Sequence, residues 1–113
     1  MSCPFCRIIA GQAPAEILYR DEQVTAFRDA RPVAPVHVLI VPNEHIESNN
    51  DVTVEHERLL GHLNRVAARL AQEMKVERSG YRLVINTGPD AGQSVFHLHM
   101  HLIGGRHLPF RFD

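Results

Sequence analysis

Apolar residues recur along this chain with two periods. Over residues 54–75 they follow the 3.6-residue period of a helix: Leu59, Leu60, Leu63, Val66, Ala67, Leu70, Ala71 and Met74 share one face. Arg65, Arg69, Gln72 and Glu73 fall largely on the other side. Elsewhere the pattern is that of strands. Residues 16–20 and 23–28 read as a hairpin around Asp21-Glu22, and the β-branched run 37–42 reads as a buried central strand. Residues 81–86 and 95–103 give two more strands, separated by the Gly-rich loop 87–94. A short helix over 4–10 stops at Gly11, and 30–35 is a proline-punctuated loop. Mostly strands with one long inserted helix predict an α+β domain with an antiparallel sheet.

The last strand carries the chemistry. In HLHMHLIGG, residues 97–105, His97, His99 and His101 alternate with apolar residues. Alternate residues of a strand share a face, so the three imidazoles point one way. Phe96, Leu98, Met100 and Leu102 then point the other way, towards a core. At ~3.3 Å per residue the outer two histidines stand roughly 13 Å apart, too far to share one metal ion. Three such histidines therefore need at least two jobs. Gly88, Gly92 and the Ser94 hydroxyl precede them closely, and backbone amides freed by glycine suit an anion. Histidines, amides and a serine together suggest a bound phosphate.

Composition narrows the class. The chain has 113 residues, 44% hydrophobic and 22% charged, which predicts one soluble domain spanning 1–113. A net charge of -1 does not favour nucleic acid as a partner. No apolar run is long enough to span a membrane, and the start of the chain lacks the pattern of a signal peptide, so a cytoplasmic location is expected. Cys3-Pro4-Phe5-Cys6 could be a redox pair or half of a zinc site. The redox motif requires a strand before it, and only two residues precede it, which favours zinc. His37, His45, His56, His62 and the three alternate histidines are all available as the remaining ligands, and spacing does not choose among them.

These residues resemble the histidine triad superfamily, and within it the Hint-like, nucleoside phosphoramidase-like branch. The likeness runs through CPFCRIIAGQAPAEILYRDEQVTAFRDARPVAPVHVLIVPNEHI, through YRLVINTGPDAGQSVFHLHMHLIGGR, and through the helix between them. The resemblance implies a five-stranded antiparallel sheet with one long helix and a short N-terminal helix. It also implies a homodimer whose sheets join into one of ten strands. It implies a hydrolase that binds a purine nucleoside monophosphate and cleaves the P–N bond of its 5′-phosphoramidates, including adenylated lysine.

Carried onto this chain, the resemblance makes His99 the nucleophile that forms a nucleotidyl-histidine intermediate. It places His101 and Ser94 on the phosphate or the leaving group, helped by Gln93. Asp29 and Asn86 would bind the nucleoside, with Phe5, Ile8 and Phe27 lining the base pocket and Gly92 in the phosphate loop. Some members carry zinc, and the corresponding donors here are Cys3, Cys6, His45 and His97, a structural site. His37, His56 and His62 are then incidental. Ala30, Arg28 and the tail RHLPFRFD depart from the branch. Two other readings are a dinucleoside polyphosphate hydrolase and a non-catalytic nucleotide-binding scaffold. The GGR ending and the C-x-x-C disfavour the first, and the intact His99, His101 and Ser94 set disfavours the second.

Overall fold

The computed structural model describes residues 3–110. Two helices, α1 (Pro4–Ile9) and α2 (Glu57–Glu73), accompany strands β1 (Ile17–Arg20), β2 (Val24–Arg28), β3 (Val36–Pro42), β4 (Tyr81–Val84) and β5 (Met100–Gly104). The strands form one antiparallel sheet in the order β1-β2-β3-β5-β4. The α+β fold expected from the sequence is thus the observed one.

The two faces of the sheet have different tasks. Val24 and Ala26 of β2, Val38 and Ile40 of β3, and Met100 and Leu102 of β5 lie on one face. They are covered by the apolar stripe of α2, with Leu63, Val66, Ala67, Leu70 and Ala71 buried. The intervening residues, Phe27, Leu39 and Val41, face the other side and pack with Phe5 of α1. The period-two alternation therefore assigns half of each strand to the main core and half to the site. Each fully buried aliphatic side chain contributes about 1.5–3 kcal/mol to holding α2 on the sheet.

Local chemistry sets the ends of the elements. The predicted helix over 54–75 opens with a 3-10 turn over Val54–His56, capped by Thr53. The Glu55 N–H donates to Thr53 Oγ1 at 3.3 Å, and the Thr53 N–H donates to the His56 ring at 3.0 Å. At the far end Lys75 adopts a left-handed φ of 63°. The following Val76 N–H returns to the Ala71 carbonyl while its side chain is buried.

The strand expected over 95–103 is shorter, and this corrects the sequence reading. Pairing with β3 runs from Val36↔Gly104 to Ile40↔Met100 and stops there. The partner strand ends at Pro42, which has no N–H to donate. Its carbonyl accepts instead from the His97 ring, at 2.8 Å. The Leu98 N–H turns to the Ile46 carbonyl at 2.6 Å. Residues 95–99 are thus held by specific loop contacts, and Phe96, expected in the core, is about half exposed.

Candidate active site and metal centre

A cavity of about 550 Å³ opens on the sheet face opposite α2. Its volume suits a mononucleotide-sized ligand. Phe5, Ile8, Phe27 and Leu39 supply apolar walls, and Asp29, Ser94, His99 and His101 supply polar ones. Seven residues proposed from the sequence thus converge on it: Phe5, Ile8, Phe27, Asp29, Ser94, His99 and His101.

Gln93, Asn86 and Gly92 do not line this cavity. Gln93 is buried and its side chain is fully engaged. It accepts from the Gly88 N–H at 2.9 Å and donates to the carbonyls of Glu47 and Val95 at 2.8 and 3.2 Å. The Gly88–Gln93 loop also turns its amides inward. The N–H groups of Ala91 and Gln93 both point to the Gly88 carbonyl, and that of Gly92 to the Pro89 carbonyl. Glycine is needed here for positive φ, 83° at Gly88 and 88° at Gly92, rather than for an anion nest. Gln93 acts as the brace of this loop, and Ser94 and Val95, just beyond, reach the cavity.

Backbone groups fix the proton positions on the histidines. His97 Nε2 faces the Pro42 carbonyl and His99 Nδ1 faces the His97 carbonyl, each at 2.8 Å. A carbonyl oxygen only accepts, so His97 is protonated on Nε2 and His99 on Nδ1. In the neutral rings the lone pairs are then on Nδ1 of His97 and Nε2 of His99. On β3, His37 Nδ1 accepts the Val33 N–H at 3.1 Å, so its proton is on Nε2. That N–H donates to Nδ1 of His101 at 2.9 Å. Neutral His101 must then carry its proton on Nε2.

His37 is therefore not incidental, which corrects the sequence reading. It lies on the same face of β3 as Leu39, whose register partner is His101. The Asp29 carboxylate stands 3.4 Å from the His37 ring. The Arg31 N–H holds the other carboxylate oxygen at 2.7 Å. Asp29, His37 and His101 could in principle hold a cation. The Val33 N–H occupies the Nδ1 lone pair of His37, however, and this matches a hydrogen-bonded chain rather than a metal site. Burial first, then the His99 and His37 rings, push the His101 pKa down to about 4, against a smaller opposing pull from Asp29. His101 is neutral at pH 7.

His56 and His62 lie outside the cavity and have structural tasks of their own. His56 caps the turn before α2 and meets Glu44 at 3.2 Å. His62 bonds the Asp21 carboxylate at 2.6 Å.

Cys3, Cys6, His45 and His97 come together beside the cavity, with all donor atoms within 4.8 Å of one another. Nδ1 of His97 lies 3.4 Å from Cys3 Sγ, 3.6 Å from Cys6 Sγ and 3.1 Å from Nδ1 of His45. A zinc tetrahedron with Zn–S of ~2.3 Å and Zn–N of ~2.0–2.1 Å has edges of about 3.3–3.8 Å. The donor set matches that size and chemistry. The His97 proton on Nε2 leaves Nδ1 as the ligand atom. Neither cysteine is in a disulfide, and burial, followed by the neighbouring Cys3 thiol, raises the pKa of Cys6.

The five-stranded antiparallel sheet and its histidine-lined cavity are those of the histidine triad class. The HIT domain family matches residues 10–108, and the chain belongs to that family. It is 50% identical over 104 residues to the purine nucleoside phosphoramidase of Escherichia coli strain K12, covering 92% of this chain and 87% of that protein. Its fold superposes on a HIT family hydrolase from Legionella pneumophila with a TM-score of 0.95. That pair shares 43% identity over 96% of this chain and 97% of the other. A zinc-bound histidine triad family protein from Mycobacterium smegmatis superposes with a TM-score of 0.82, at 36% identity, over 100% of this chain and 84% of the other. The chain is thus an enzyme of the hydrolase class. Among the described residues, no helix is long and apolar enough to cross a membrane.

Proposed function

We propose that this protein hydrolyses purine nucleoside 5′-phosphoramidates through a covalent nucleotidyl-histidine intermediate at His99. One observation carries the reading. His99 lines the cavity with its Nδ1 proton tied to the His97 carbonyl, so its Nε2 lone pair is available as a nucleophile. The similarity to a purine nucleoside phosphoramidase supports the substrate class.

In this reading the base lies among Phe5, Ile8 and Phe27, and Asp29 accepts hydrogen bonds from the ribose hydroxyls. Nε2 of His99 attacks the α-phosphorus. A P–N bond to the imidazole forms as the P–N bond to the amine breaks, the departing nitrogen taking up one proton from the medium so that it leaves as the neutral amine. Ser94 and His101 hold the phosphate oxygens and the leaving nitrogen, with His101 presenting Nε2–H as a donor. Water then attacks phosphorus and returns one proton to the medium as the P–N bond to the imidazole breaks, releasing the nucleoside monophosphate and regenerating His99. Gln93 and Gly92 serve by shaping the loop that ends in Ser94, and no contact in the cavity carries a role for Asn86.

Zinc at Cys3, Cys6, His45 and His97 is read as structural, since all four positions of a tetrahedron are filled by protein. The assembly is read as a homodimer. β1 and β4 each leave one edge of the described sheet unpaired, and joining an edge across a two-fold axis gives ten strands. Sedimentation at micromolar concentration would show one species of twice the chain mass.

The test of the activity is a comparison of substrates. An adenosine 5′-phosphoramidate should be hydrolysed at least ten times more efficiently than a diadenosine polyphosphate. The reverse order would replace this reading with the dinucleotide hydrolase. Nucleotide binding without turnover of either would leave a scaffold.

A further inference from the structure

The metal donors and the cavity share one helix and one histidine. Cys3 and Cys6 bracket Phe5 at the start of α1. The Phe5 ring meets three others edge-on: His99 at 5.1 Å, Phe27 at 5.4 Å and His97 at 5.9 Å between centroids. Phe5 and, one turn later, Ile8 also line the cavity. His97 is the second shared part. Its Nδ1 points into the donor cluster, and its carbonyl fixes the proton of His99.

α1 spans only six residues, a length with no helical stability of its own. Its N-terminal cap is the Cys3 sulfur, which accepts the Cys6 N–H at 3.4 Å. Sulfur is a weak acceptor. What seats α1 on the sheet is therefore the burial of Phe5, with Ile8 and Ile9 packed against the same cluster, together with the four side chains that converge beside it. A cation bonded to both thiolates and to His45 and His97 would clamp α1 at both ends of the Phe5 turn. Apart from such a cation, that turn is held by the packing of Phe5, Ile8 and Ile9 and by weak S···N contacts.

We infer that metal binding at Cys3, Cys6, His45 and His97 organises the nucleotide cavity by holding Phe5 against His99 and the cavity wall, so that metal and nucleotide bind with positive coupling. This rests on the nucleotide reading of the cavity. Coupling is reciprocal: if metal tightens nucleotide binding by some factor, nucleotide tightens metal binding by the same factor. The factor expected for a shared, partly ordered element is about tenfold. Phe5 is thereby a positioning residue for the His99 ring as well as a wall of the cavity.

The test uses the full chain, Zn²⁺ and AMP. Calorimetry gives AMP affinity for zinc-loaded and chelator-stripped protein, and competition with a chromophoric chelator gives Zn²⁺ affinity with and without saturating AMP. Loss of zinc should weaken AMP binding about tenfold, and AMP should tighten zinc about tenfold, while the far-ultraviolet circular dichroism of the stripped protein stays folded. AMP affinities equal within about twofold in the two forms would overturn the coupling and leave the nucleotide reading intact. Absence of AMP binding to both forms would overturn the two together. Phe5→Leu keeps the four donors and an apolar side chain but removes the ring edge. In that variant zinc affinity should no longer respond to AMP. A tenfold response retained in Phe5→Leu would trace the linkage to global stability and overturn the inference.

Discussion

His99 donates its Nδ1–H to the carbonyl of His97 across 2.8 Å, so in the neutral ring of this middle histidine the lone pair is on Nε2. The contact depends on residues 95–99 leaving the ladder. In a regular antiparallel strand the carbonyl two residues before would be directed at a neighbouring strand. The irregular backbone thus sets the tautomer of His99.

Replacing His99 with Ala removes that lone pair and leaves Asp29 and the apolar walls in place. Turnover of an adenosine phosphoramidate should fall by at least about 10³-fold. AMP affinity, read by calorimetry, should change by less than about fivefold, a shift under 1 kcal/mol. Turnover retained in this variant would remove His99 from the mechanism.

His37 acts one step back. With its Nε2–H directed at His101 Nδ1, it selects the tautomer that aims the His101 proton at the cavity. His37→Phe should lower kcat on the order of 10²-fold, at the lower end of what a misplaced acid–base group costs, with little change in KM. A change in KM alone would make His37 a packing residue.

Acid should unfold this protein partly through His101. Its folded pKa of about 4 lies below the ~6.5 of an unfolded histidine, so the unfolded chain takes up the proton first as pH falls. The contribution is complete above about pH 6.5 and is lost as pH drops towards 4. His99 and His37 face the ring and disfavour its charge, while Asp29 opposes them. Allowing for partial exposure, the loss is about 1–2 kcal/mol. Urea unfolding at pH 7 and pH 5 should show a smaller pH dependence in His101→Asn than in the parent. An equal dependence in both would assign the acid sensitivity elsewhere.

Asp21 ties the first hairpin to α2. One carboxylate oxygen accepts from Tyr19 and His62, each at 2.6 Å, and the other from the Gln23 and Val24 N–H groups, each at 2.8 Å. Burial alone would raise its pKa, but these donors hold it below the usual carboxylate range. Asp21→Ala should cost about 2 kcal/mol in chemical denaturation, since several donors lose a charged acceptor. The activity of the folded fraction should be unchanged.

Much of this was legible in the sequence, because periodicity reports burial directly. The apolar stripe of α2 and the run Val38, Ile40 are consequences of one covered sheet face. The assignment of Cys3, Cys6, His45 and His97 to one cluster needed family resemblance, since spacing offered several histidines. Two features were hidden. The end of β5 at Met100 depends on Pro42 in a distant segment, and alternation alone cannot see a missing partner. His37 looked incidental within its β-branched run. Its signal was parity: it shares a strand face with Leu39, which pairs with His101. Gln93 and Gly92 stand outside the cavity because a loop can use its amides either on a ligand or on itself, and composition does not distinguish the two.

The central claim is the covalent step at His99. Intact-protein mass spectrometry after a brief, acid-free quench with an adenosine 5′-phosphoramidate tests it most directly. A mass increase of one adenylate is expected, stable to gel filtration at neutral pH and lost in His99→Ala. Product formed at the full rate with no adduct at any quench time, or an adduct that persists in His99→Ala, would contradict it.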